Sequence, residues 1–119
     1  MSFTLEEMNR EEVFLVQACL TRISNNFLYV ELIPDGDGLV IRIALEREDP
    51  EDREAIEDIE TYFDIAHYDI RRDDVQFRTE VLVAPKHPYS ADEKGRAIWV
   101  RKRPRRYDED DELPAGGPR

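Results

Sequence analysis

Asp64, His67 and Asp69 fall within six positions, and an imidazole flanked by carboxylates is a simple general base. At a helix end the same histidine would meet the partial negative charge of the last carbonyls. That capping role is the reading adopted here. Asp35-Gly36-Asp37-Gly38 has the density of carboxylates and glycine that opens a calcium loop. Such a loop needs a third ligand before its glycine and an acid six positions after it, where this chain has Ala44, so the stretch is read as a hairpin turn. Cys19 sits in an apolar stripe with no basic neighbour to lower its thiol pKa, which fits a core residue. His87 and Ser90 lie in a proline-rich stretch without the glycine elbow that presents a nucleophile. One cysteine and two histidines leave no zinc set and no internal disulfide. No catalytic residue, cofactor or metal site follows, and a non-enzymatic role is expected.

What remains is charge. The 119 residues carry 28 acids against 17 bases, a net charge of −11. Residues 1–85 are strongly acidic, 86–107 are basic and the last twelve are acidic again. An acidic body repels nucleic-acid phosphates and attracts basic protein surfaces. The five bases within Arg101 to Arg106 could bind phosphates, but Asp108 to Glu112 follow at once and can neutralise them. The start lacks the basic and apolar regions of a secretion signal, and no apolar run reaches the ~18–20 residues of a membrane helix. A soluble, cytoplasmic protein with no membrane partner is expected.

Two helix starts compete near the N-terminus. Thr4 with Glu7 makes one capping box and Asn9 with Glu12 another; the second is favoured, giving a helix over about 10–24 whose buried stripe is Val13, Val16, Leu20 and Ile23, widened by Phe14, Leu15 and Cys19. Residues 27–33 and 39–46 flank the Asp35 to Gly38 turn as a β-hairpin. Asp49-Pro50-Glu51-Asp52 supplies a cap, a first-turn proline and two acids, so a second helix runs over 50–67 with Ile56, Ile59, Phe63 and Ala66 as its buried stripe and Ala55 and Tyr62 beside them. Residues 75–84 alternate as a half-buried antiparallel strand, and 97–102 form a fourth strand with Ile98 and Val100 inward and Trp99 outward. The expected fold is α+β, in the order α-β-β-α-β-β, with two helices on one face of a small antiparallel sheet. Residues 1–103 make one domain, and 104–119 form a charged tail too poor in apolar residues to fold.

Leu20 to Glu31, the hairpin ending Ile43-Ala-Leu-Glu46, Glu48 to Thr61 and Ala97 to Arg103 together resemble small bacterial immunity proteins, which accompany contact-dependent inhibition and other polymorphic toxins. The resemblance spans residues 10–103 and implies an antitoxin that occludes a cognate toxin without catalysis of its own. It carries over no site residues. The residues themselves point to a surface of Asp35, Asp37, Glu57, Asp58, Glu60 and Asp64 that steers a basic partner, with Tyr29 and Trp99 supplying aromatic contacts. An acidic structural or regulatory binding module is the alternative.

Overall fold

The computed structural model describes residues 3–69, 75–86 and 94–101. His87, Ser90, the basic run beyond Arg101 and the tail expected to be unfolded lie outside the described residues.

The first helix, α1 (Leu5–Cys19), begins at the earlier of the two capping signals. The Thr4 hydroxyl accepts from the Glu7 amide at 3.0 Å, and the Glu7 carboxylate accepts from the Thr4 amide at 2.9 Å. Two otherwise unpaired amides are thereby satisfied reciprocally. Asn9 is inside the helix, where its Oδ1 accepts from Arg96 at 2.6 Å. The helix also ends early. Thr21, just past the Leu20 cap, has φ +67, a left-handed conformation that stops helical propagation. For a β-branched residue this costs roughly 1–2 kcal/mol. Thr21→Gly is therefore expected to raise the melting temperature by a few degrees, the relief exceeding glycine's entropic penalty of about 0.5–1 kcal/mol. A lower melting temperature would assign Thr21 a stabilising contact instead.

Strands β1 (Phe27–Asp35) and β2 (Gly38–Leu45) form the expected hairpin, antiparallel from Phe27 opposite Leu45 to Asp35 opposite Gly38. Gly36, at φ +62, takes the first central position of the turn, where a type II′ hairpin requires a positive φ. Helix α2 (Pro50–Asp69) starts as expected on Asp49, whose carboxylate accepts from the amides of Glu51 at 2.8 Å and Asp52 at 3.3 Å. Strands β3 (Gln76–Val83) and β4 (Arg96–Val100) complete the sheet, in the order β3-β2-β1-β4.

The antiparallel expectation needs correction. β4 pairs antiparallel with β1, but β3 lies parallel to β2, so the sheet is mixed. Helix α2 supplies the crossover that parallel neighbours require, and a hairpin turn could not.

One hydrophobic core joins Met8, Leu15, Ala18 and Cys19 of α1, Ile56, Ile59 and Phe63 of α2, and Leu39, Ile41, Ile43 and Leu45 of β2. Val30 and Leu32 of β1 belong to the same cluster. Burial pushes the Cys19 thiol up to about 12 against the opposing charge of Arg22, as suits a core residue. The α1 stripe expected to be buried is so only in part: Leu15 and Cys19 are buried and Phe14 and Ile23 pack against the core, but Val13 is 52%, Val16 39% and Leu20 59% exposed.

Candidate functional site

His67 lies in the last turn of α2, as expected, but it is buried rather than exposed at the helix end. Its ring is 3% exposed, with Phe14 and Phe63 edge-on at 5.4 and 4.6 Å between centroids. The Phe63 carbonyl, 2.8 Å away, can only accept, so Nδ1 carries a proton and donates to it. Nε2 meets Oε1 of Glu11, a fully buried carboxylate on α1. One proton lies between them, on the ring as an imidazolium facing a carboxylate or on Glu11 as an acid donating to a neutral ring. Burial alone would lower the His67 pKa, but the Glu11 hydrogen bond, the Phe63 carbonyl and the Glu11 charge together raise it above the ordinary value, with Arg10 opposing. Both ring nitrogens are engaged. No face of His67 is left for a substrate, and the partner of its Nε2 is Glu11, not Asp64.

A second polar cluster locks the start of α2 to the start of β1. The buried Asp52 carboxylate accepts from Ser24 Oγ and Asn26 Nδ2, both at 2.8 Å. Asn26 also donates to the Arg47 carbonyl at 2.7 Å and accepts from the Arg47 amide at 3.0 Å. These groups satisfy one another in place of water.

On the strands, Glu31, Arg42 and Glu80 stand directly across from one another on β1, β2 and β3. Arg42 donates to Glu80 at 2.5 Å and lies 3.6 Å from the buried Glu31. Gly95 closes on the same carboxylate, where an added Cβ would stand 2.5 Å from Glu31 Oε2. Tyr29 is buried beside this row, and desolvation raises its phenol pKa against the opposing charge of Arg42.

The residues expected to meet a partner divide into three groups. Glu57, Asp58 and Asp64 are exposed on α2, with Glu60 half-buried beside them. Asp35 and Asp37 are exposed at the hairpin tip, where Asp35 lies 3.8 Å from Arg78 of β3. The two aromatics do not extend this surface. Trp99 stands opposite Val30 and packs against the core, which corrects its outward assignment. The cause is a register shift between Val30 and Glu31: it inserts Ile98 as an extra residue, so that Ile98 and Trp99 both reach the core. Val100 is the outward residue, at 43% exposed.

The sequence reading missed the exposed aromatic and aliphatic side chains of α2. Tyr62, expected beside the buried stripe, is 50% exposed at its flank, while Ile65 and Tyr68, 46% and 77% exposed, lie on the side opposite the buried Ile59 and Phe63. Their three-residue spacing does not by itself separate an outer stripe from a core one.

Among the described residues there is no cluster of His, Cys, Asp or Glu able to hold a metal ion, and no helix long and apolar enough to cross a membrane. No family model matches the chain, and no curated protein matches it either.

Proposed function

We propose that this chain is a non-enzymatic binding protein of the immunity or antitoxin type, which occludes a basic protein partner with the outer surface of its two helices. The observation that carries the reading is where the charge sits. Helices α1 and α2 hold 12 acids, of which Glu11 and Asp52 are buried, and 2 bases, while the rest of the chain has 16 acids and 15 bases. Charge kept only for solubility has no need to gather on one pair of elements.

In this reading both helices form one layer over the face of Ile41 and Ile43. Phe63 of α2 meets Phe77 of β3 at 5.0 Å, and Arg96 of β4 reaches Glu12 of α1 at 2.9 Å, each strand residue standing opposite a core position. Like-sign repulsion excludes nucleic acid and anionic lipid from such a surface, and opposite sign speeds encounter with a cationic protein.

The test begins with affinity capture and mass spectrometry in the source cells. A basic toxin domain whose growth inhibition is relieved by co-expression of this chain is the expected result. Glu57→Lys with Asp58→Lys should then slow association about 10-fold at low salt and much less at high salt. A partner bound at an unchanged rate by this variant would return the charge to solubility and favour an acidic regulatory module.

A further inference from the structure

The sheet ends on β3, and among the described residues no strand pairs with its outer edge. Its 8 residues run beside β2 without a register shift. Edge strands are ordinarily blunted by a proline, a bulge or an inward-pointing charge. β3 has none of these, and its inward residues Phe77 and Val81 pack against the core.

The ladder decides which backbone groups the edge offers. Just past β3, the Ala84 amide donates to the Leu45 carbonyl of β2 at 2.8 Å. Backbone groups alternate sides along a strand, so Leu82, Glu80 and Arg78 also turn theirs toward β2. Phe77, Thr79 and Val81 turn theirs to the open edge.

The charges on this strand are self-complementary. Arg78 and Glu80 flank Thr79 on the face away from the core, where Glu80 stands in a row with Arg42 and Glu31. A two-fold axis through Thr79 would set a second β3 antiparallel to the first, with Phe77 opposite the other copy's Val81 and Arg78 opposite the other copy's Glu80. Thr79, Phe77 and Val81 then exchange N–H and C=O bonds across the edge. Arg78 and Glu80 fall in the non-hydrogen-bonded pairs, where side chains approach most closely. The row extends to Glu31, Arg42, Glu80 and the other copy's Arg78, alternating in sign throughout. An axis at Arg78 or Glu80 would set like charges face to face, and one at Phe77 or Val81 would separate Arg78 from Glu80.

We infer that two copies of this chain join through β3 into one continuous sheet, antiparallel about Thr79. The pairing uses no residue of α1 or α2, so it goes beyond the reading of their surface.

Sedimentation equilibrium of the full chain, from micromolar to near-millimolar concentration, tests it. Near-physiological salt screens the net charge of −11 on each copy over about 8 Å but leaves pairs in contact. A concentration-dependent dimer is expected. Arg78→Glu and Glu80→Lys each convert both cross-edge pairs to like sign, and each should raise the dimer dissociation constant at least about 10-fold. An equimolar mixture of the two variants should recover a mixed dimer, because the introduced glutamate meets the introduced lysine while the unchanged Glu80 meets the unchanged Arg78. Thermal melts verify folding. Arg78 is exposed, so Arg78→Glu spares the core and decides alone if Glu80→Lys, which also gives up the bond to Arg42, does not fold. A chain monomeric across the whole range would overturn the inference. So would a dimer that Arg78→Glu leaves intact, or two folded variants that stay apart on mixing.

Discussion

Replacing His67 by Leu should destabilise the fold by about 3–5 kcal/mol, and adding Glu11→Leu to the same chain should return most of that loss. The single change leaves a fully buried carboxylate facing an apolar side chain, with Arg10 at 3.6 Å as its remaining cation. The double change removes both groups that had to leave water and fills the helix contact with hydrocarbon beside Phe14 and Phe63. Urea unfolding of the two variants and the wild type measures both steps. Equal loss in the single and double variants would mean that the pair is not a unit.

The pH dependence carries a definite sign. The folded pKa of His67 is raised above its unfolded value of about 6.5, so the stabilisation is complete below that pH and is lost as pH rises through the folded value. The stability of the wild type relative to the double Leu variant should therefore fall as pH rises above about 6.5 through the folded value. A difference that grows with pH would show a ring held neutral.

The second large effect is expected at Asn26. Asn26→Ala removes the bonds to the Arg47 carbonyl, the Arg47 amide and Asp52, at a cost of about 2–4 kcal/mol. Asn26→Asp keeps the shape, yet near neutral pH it should cost more than the alanine change. A carboxylate oxygen would replace the donating Nδ2 and face both a carbonyl and the Asp52 carboxylate. Two carboxylates in contact raise the pKa of one of them, and this penalty fades as pH falls and a proton is shared. Chemical denaturation at pH 7 and near pH 4 distinguishes the cases. An Asn26→Asp protein as stable as wild type at pH 7 would remove Asn26 from the lock between β1 and α2.

The hairpin and α2 were legible because their signals are local: alternation with Gly36 at the turn, and Asp49-Pro50 at the helix start. Strand direction was not. Alternation along residues 75–84 is the same for parallel and antiparallel pairing, and the deciding information was the 20-residue helix between β2 and β3, whose length suits a crossover. Of the α1 stripe, Leu15 and Cys19 were placed correctly and Val13, Val16 and Leu20 were not, because the true buried face contains Glu11, which hydropathy assigns to solvent and which His67, far along the chain, makes tolerable. Trp99 was misplaced by a single inserted residue, which strict alternation cannot register. At the candidate surface the acids of α2 were legible and their aromatic company was not, since Tyr62, Ile65 and Tyr68 pass for core until Phe63 and Ile59 are seen to fill it.

The strand order also bears on how the chain emerges during synthesis. β1 and β2 are contiguous and can pair as soon as both are made, but the other edge of β1 waits for β4, which ends at Val100. At about 5–20 residues per second, the interval is several seconds. Throughout it, Tyr29 to Leu32 hold unpaired backbone groups at the rim of an apolar hairpin, a template for strands of other nascent chains. The buried Glu31 on that edge is then uncovered, and its charge opposes such pairing until β4 arrives.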